Sequence, residues 1–143
     1  NRIITNPLGR SRKFYGKQDY KLAQAAFSHF AQSTIADLVV SRAMLPCHYT
    51  KDDDEIGEIN IIEINNQVHD SVMFQIDQTY SLEMQAFALK YLTESMEKPI
   101  SWKGKSFSIP TDLEVKHDGK SYGIDATQSV EKVACRLEEI YST

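Results

Sequence analysis

The neighbouring residues His69 and Asp70 are the pair in this sequence best placed to do chemistry. Together they offer an imidazole and a carboxylate side by side between two apolar stretches. A pair fixed at the tip of a rigid element is well mounted for a functional role. On these residues alone, an ordinary polar turn in which Asp70 hydrogen-bonds nearby backbone is the simpler interpretation.

The flanking residues predict a β-hairpin over residues 59–77 that places this pair at its turn. Apolar and polar residues alternate after the pair, with Val72, Phe74 and Ile76 on one face, which is the period of a half-buried strand. The incoming arm has four isoleucines and then turns polar at Asn65, Asn66 and Gln67; the isoleucines are Ile59, Ile61, Ile62 and Ile64.

The turn segment Gln67-Val68-His69-Asp70 resembles the palm motif of family A DNA polymerases, usually written QVHDE. The resemblance implies that Asp70 and His69 are catalytic residues, Asp70 by binding the divalent metals and His69 by contacting the primer terminus. It also implies that Gln67 supports the hairpin tip and, with His69, contacts DNA. Ser71 stands where many members of the family have a second carboxylate, which implies a site poorer in negative charge.

A second segment, AFSHFAQSTIADLVVSRAM, is similar to the family pattern AFNxPxQGTAADIxKxAM. The residues that match in register are Ala26, Phe27, Gln32, Thr34, Ala36, Asp37 and, as leucine for isoleucine, Leu38; Ala43 and Met44 match the closing Ala-Met of the pattern one residue later. The resemblance implies that Gln32 contacts the duplex at a minor-groove acceptor that all base pairs share; by its chemistry alone, Gln32 is a helix-capping amide. Phe30, Ser33 and Gln24 depart from the pattern and indicate a divergent, bacteriophage-like member.

The N-terminal segment is basic on an otherwise acidic chain. Residues 1–21 carry six basic side chains against Asp19 alone, whereas the whole chain has a net charge of −4. Gly9, Arg10 and Arg12 match the family's T-L-F-G-R-R-R segment, so the resemblance implies that both arginines contact DNA, where their fork of donors can grip a phosphate. From charge alone, a phosphate-contacting arm and a solvated loop are equally good interpretations.

These elements predict an α+β fold in which helices pack on one face of an antiparallel, palm-type sheet built round the hairpin. The 143 residues are enough for one domain with its own core. The predicted elements are a basic loop or irregular hairpin over 1–18, two helices over 19–46 with a break near 30–33 and an end at Pro46, an acidic connector over 49–58, the hairpin, a helix over 80–97, strands over 107–124, and a helix over 127–141 capped by Asp125.

Composition is that of a soluble globular protein, with 41% hydrophobic and 25% charged residues. No apolar run approaches the roughly 18 residues of a membrane span. Cys47 and Cys135 lack metal-ligand spacing and are expected to be reduced in a cytoplasmic protein, although a disulfide stays open as an alternative.

The resemblance covers about residues 3–124 and implies the C-terminal palm portion of a template-directed DNA polymerase. Its cofactor would be Mg²⁺ in a two-metal site, and its partners would be primer-template DNA, a dNTP and an N-terminal polymerase portion. That portion would carry the other metal-binding aspartate and the fingers, since no D-Y-S-x-I-E-type strand occurs in this sequence. We therefore expect the isolated chain to be inactive.

Two other classes are compatible with these residues. The first is a non-catalytic palm remnant that binds nucleic acid or completes a partner. The second, less well supported, is an HD-type phosphohydrolase, which needs several further His and Asp ligands on helices, whereas His69 and Asp70 are predicted on a hairpin.

Overall fold

The computed structural model describes residues 2–49 and 61–143. Its elements, in chain order, are β1 (Ile3–Thr5), β2 (Ser11–Lys13), α1 (Tyr20–Val39), a π-helical turn (Val40–Met44), α2 (Leu45–Tyr49), β3 (Ile62–Val68), β4 (Ser71–Ile76), α3 (Leu82–Met96), β5 (Ile100–Trp102), β6 (Lys105–Phe107), β7 (Leu113–His117), β8 (Lys120–Ile124) and α4 (Val130–Tyr141). The predicted acidic connector, Asp52 to Glu55, and Ile59 lie outside the described residues.

The strands of the described ranges form four antiparallel two-stranded sheets, each made by strands that follow one another in sequence. This pairing confirms the predicted α+β class. The hairpins are not hydrogen-bonded into one continuous sheet within residues 2–49 and 61–143. None of the helices described is long and apolar enough to cross a membrane.

Helix α3 is the centre of the core. Ala86 and Leu89 pack with α4 and Ile124, while Ala88 and Leu92 pack with Ile62 and with Ala43 of the π-helical turn. The inward side chains of β4 rest on these two clusters; they are Val72, Phe74 and Ile76. The β3–β4 hairpin is therefore held at its base by packed side chains, which leaves its turn projecting.

Helix α1 runs without interruption from Tyr20 to Val39, so the predicted break near residues 30–33 is wrong. Ser33 and Thr34 are buried within the helix and do not cap a new one. The Thr34 hydroxyl donates to the Phe30 carbonyl at 2.7 Å, one turn back, which satisfies it inside the helix.

Pro46 does not end the helical stretch either, because it lies in the first turn of α2. Proline has no N–H to donate, so the helical backbone continues through it with one bond fewer, after the Leu45 N–H has donated to the Val40 carbonyl. A π-helical turn precedes it, and Arg42 from that turn donates to the carbonyls of Met96, Lys98 and Pro99. These bonds tie the end of α3 to the helical segment.

The C-terminal helix begins at Val130 with Ser129 as its N-cap residue, so the prediction that Asp125 caps it is wrong. Asp125 instead accepts bonds from the backbone and hydroxyl of Thr127 at 3.0 and 2.6 Å, a local turn that occupies its carboxylate. Helix α4 docks on α3, where Tyr141 donates to the buried Gln85 at 3.0 Å. The two cysteines, Cys47 and Cys135, are both free.

Candidate nucleic-acid interface

Asn6 fastens the β1–β2 hairpin to α1. Its side chain, on a residue only 2% exposed, accepts from the backbone N–H groups of Leu8 and Arg10 at 3.0 and 2.9 Å. Its amide nitrogen donates to Ser33 Oγ at 3.1 Å and to Asp37 Oδ2 at 2.7 Å on α1. The same four bonds thus shape the hairpin turn and anchor it to the helix.

Arg10 forms an ion pair with Asp37. Its Nε donates to Asp37 Oδ2 at 3.1 Å, and an Nη nitrogen contacts Oδ1. Burial alone would raise the pKa of Asp37, but the hydrogen bonds from Arg10 and Asn6 and the Arg10 charge outweigh it and hold the pKa below its usual value of 3.8. The Arg10 side chain stays 59% exposed, so its other N–H donors remain accessible to a ligand.

Arg10, Arg12 and Gln32 line one open groove of about 580 Å³ between the hairpin and α1. Ser28, His29 and Ser33 complete its polar lining. The predicted DNA-contacting residues of the arm and of the helix therefore lie together, although about twenty residues separate them in sequence. A groove lined by two guanidinium groups, an amide and two serine hydroxyls suits a polyanion.

Phe14 contacts two of the residues that line this groove. It is buried, and the guanidinium carbon of Arg12 lies 5.2 Å from the centre of its ring. The same ring meets His29 edge-on, with 5.8 Å between ring centres. Stacking on Phe14 holds the Arg12 side chain while its donors remain exposed to solvent.

His29 is a groove residue that sequence reasoning assigned no role. Its Nε2 is buried and has no hydrogen-bond partner within the described part of the chain. The helical spacing could have placed it here, because His29 lies three residues before Gln32 and so shares its side of α1.

His69 and Asp70 form the two-residue turn of the β3–β4 hairpin, as the sequence predicted. Val68 pairs with Ser71 directly before and after them, and both turn residues are exposed. His69 has φ +54°, a left-handed conformation that few residues other than glycine adopt. The turn thus keeps an imidazole at a position where glycine fits with less strain.

A bulge at Asn65 brings Gln67 to the inward side of the hairpin. Ile64 pairs with Phe74, but Asn66 pairs with Met73, so one residue of β3 is left over. Such a bulge reverses the side-chain alternation beyond it. Gln67 therefore faces the same way as Ile62 and Ile64 and is half-buried opposite Val72.

The hairpin tip does not contain a complete metal site. Within residues 2–49 and 61–143, no three His, Cys, Asp or Glu side chains are grouped so that they could hold a metal ion. Asp70 provides a single carboxylate, and Mg²⁺ is bound through carboxylates together with substrate phosphates. The described residues alone therefore do not fit a two-metal centre, and none of the tip residues lines the groove.

Comparison with known proteins leaves the family of this chain unassigned. No protein-family model, curated protein or solved structure matches it. The likeness to family A polymerases thus rests on the residues of the two motif segments and of the basic arm.

Proposed function

We propose that this chain is the C-terminal palm portion of a template-directed DNA polymerase. The observation that carries the proposal is the shared groove: Arg10 and Arg12 from the arm and Gln32 from the helix line it together. These are the residues to which the resemblance gives duplex contacts. The groove thus brings the matching residues of two separate segments to one surface, as duplex contact by both would require.

In this proposal the groove holds the primer-template duplex without reading its sequence. Arg12 and the free donors of Arg10 contact backbone phosphates, which position the duplex and carry no sequence information. The Gln32 amide donates to a minor-groove acceptor found in every base pair. Asp37 holds Arg10 in place before DNA arrives, so less side-chain freedom is lost on binding.

The hairpin tip would face the primer end, with His69 against the terminal nucleotide and Asp70 as one of the ligands of Mg²⁺. When bound, the metal pair of such enzymes stabilises the attacking and leaving oxygens of phosphoryl transfer. The remaining carboxylate and the dNTP-binding residues would come from an N-terminal polymerase portion. The isolated chain should therefore bind duplex and fail to extend a primer.

Fluorescence anisotropy with a labelled primer-template duplex tests the groove. Arg12→Ala should weaken binding and reduce the salt slope by about 0.9 if one phosphate contact is lost. Arg136→Ala is the matched control, because Arg136 is an exposed arginine on α4 that pairs with Glu139. If Arg12→Ala and Gln32→Ala both bind the duplex with wild-type affinity, the groove is not the site of duplex binding.

A non-catalytic remnant is the second candidate, favoured by the single carboxylate at the hairpin tip. Mixing the chain with a polymerase portion that carries the second aspartate separates the two. Primer extension that is lost in Asp70→Asn supports the enzyme, whereas duplex binding without extension in any such mixture supports the remnant. Extension that survives Asp70→Asn would return Asp70 to an ordinary turn residue.

A further inference from the structure

His29 of α1 is a titratable groove residue that the proposed duplex contacts leave unused. It lines the groove together with Arg10, Arg12 and Gln32, and it is half-buried. Its Nε2 is shielded from solvent and has no hydrogen-bond partner within residues 2–49 and 61–143. Buried polar atoms are ordinarily hydrogen-bonded, and the exceptions are explained by strain, by a functional role or by a bound water or ion.

Packing on Phe14 fixes the position of His29. The two rings meet edge-on with 5.8 Å between their centres, and Phe14 is buried. The guanidinium carbon of Arg12 lies 5.2 Å from the centre of the same Phe14 ring. One ring therefore contacts both the imidazole and the guanidinium group, and it holds the two in the same part of the groove.

The charges around His29 oppose its protonation in the free protein. Arg10 and Arg12 of the β1–β2 hairpin are the charged residues that line the groove beside it. Asp37 lies on the same helix, and its pKa reflects first its burial, then its bonds to Arg10 and Asn6, and last the charges of Arg10 and His29. Asp37 is thus within electrostatic reach of His29, but its carboxylate already pairs with Arg10.

A duplex in the groove would change this balance. Without DNA, a charged imidazole would stand beside two guanidinium groups, with no acceptor at its buried Nε2, and both conditions disfavour the charged form. Duplex phosphates bring negative charge to the same groove and offset the charges of Arg10 and Arg12. They need not touch Nε2, because charges act on one another over several ångströms. Histidine ordinarily changes its charge between pH 5 and 8, so the change can be completed near neutral pH.

We propose that duplex binding in this groove is coupled to proton uptake at His29, so that the affinity for DNA rises as the pH falls. The proton comes from the solvent and makes the imidazole the third cation of the groove. The proposal rests on the proposed function, because it requires a polyanion in the groove. By linkage, the gain in affinity is complete below the pH at which His29 titrates in the free protein, and it is lost as the pH rises through the value in the complex.

Fluorescence anisotropy of a labelled primer-template duplex, measured at constant ionic strength from about pH 5.5 to pH 8, tests the coupling. The wild-type affinity should fall about tenfold over this range, with log Kd rising by about 0.5 per pH unit where the change is steepest. His29→Gln keeps a polar side chain that does not titrate, so its affinity should change by less than about twofold. His117→Gln is the matched control and should keep the wild-type pH dependence, since His117 is a partly buried histidine on β7.

NMR titration of the His29 ring tests the electrostatic argument without DNA. Arg12→Ala removes one of the positive charges beside the imidazole, so the titration midpoint of His29 in the free protein should move to higher pH. Adding duplex to the wild type should move the midpoint in the same direction by about one pH unit. A ring that only packs on Phe14 would show neither shift.

Three outcomes would overturn the coupling. Duplex binding that depends on Arg12 but not on pH overturns it and leaves the proposed function standing. A pH dependence that survives His29→Gln overturns it as well, and its loss in His69→Gln would assign the proton to the hairpin tip. Absence of duplex binding even at the lowest pH overturns both proposals. Circular dichroism checks the fold of His29→Gln, and if that variant is misfolded, the shift of the wild-type midpoint on adding duplex decides.

Discussion

Replacing Asn6 with alanine should detach the β1–β2 hairpin from α1 and weaken duplex binding, although Asn6 does not line the groove. The substitution removes the amide that joins the two elements and leaves the flanking residues unchanged. Arg10 and Arg12 would then be carried by a loose segment. The effect on DNA should follow from the loss of fixed geometry and not from the loss of a contact.

The magnitude follows from the four bonds of the Asn6 side chain. Three of these bonds have neutral partners, namely the backbone N–H groups of Leu8 and Arg10 and the Ser33 hydroxyl. The fourth goes to the Asp37 carboxylate. A neutral hydrogen bond contributes about 1 kcal/mol and a charged one about 1.5–3 kcal/mol. Leu8 and Arg10 are exposed, so water can replace part of the loss. We expect the free energy of opening the hairpin to fall by about 3 kcal/mol.

Hydrogen exchange followed by mass spectrometry measures this opening directly. A change of about 3 kcal/mol corresponds to roughly a hundredfold faster exchange in residues 3–14, while peptides from α3 stay protected. Asn66→Ala is the control, because Asn66 is an exposed asparagine on β3. An exchange rate in residues 3–14 within threefold of the wild-type rate would refute the role of Asn6. An equal increase in the exchange rate of α3 would refute it too, because it would mean that the whole fold had lost stability.

Three shorter predictions follow from single groups. The pKa of Asp37 is lowered in the folded protein, so its ionised carboxylate stabilises the fold above the ordinary pKa of 3.8 and loses that effect as the pH falls through the lower folded value. Acid should therefore speed hydrogen exchange in residues 3–14 of the wild type, and Asp37→Asn should abolish this acid-dependent increase. Burial raises the pKa of the Cys47 thiol to about 11, so at pH 8 about one molecule in a thousand carries the Cys47 thiolate. Iodoacetamide should therefore label the exposed Cys135 before Cys47. Equal labelling rates for the two thiols would contradict the burial of Cys47. His69→Gly should raise the free energy of unfolding by about 0.5–1 kcal/mol because of the positive φ at the turn, and a lower melting temperature than wild type would contradict that strain.

The hairpin could be predicted from sequence because its signal is local. The alternation of Val72, Phe74 and Ile76 belongs to one strand, and those side chains do pack on the core. The bulge at Asn65 could not be predicted, because it depends on the pairing of β3 with β4 and on no feature of β3 alone. It is this pairing that turns Gln67 inward.

The wrong prediction of a helix break had a local cause as well. Ser33 and Thr34 are residues that start helices when their side chains meet free backbone N–H groups. Inside α1 those N–H groups are already bonded, so the Thr34 hydroxyl donates backwards and Ser33 accepts from Asn6. The partner that gives Ser33 its role lies 27 residues away, outside any local pattern.

The link between Arg10 and Asp37 changes how the basic arm works. By resemblance, Arg10 contacts phosphate, while Asp37 matches the motif without a role. Their ion pair, together with Asn6, fixes the arm on α1 and offsets part of the Arg10 charge. Within residues 2–49 and 61–143, Arg12 forms no ion pair and stacks on Phe14. Under the proposed function, the two arginines would therefore have different roles: Arg10 would mainly position the arm, and Arg12 would be the cation whose full charge contacts a phosphate.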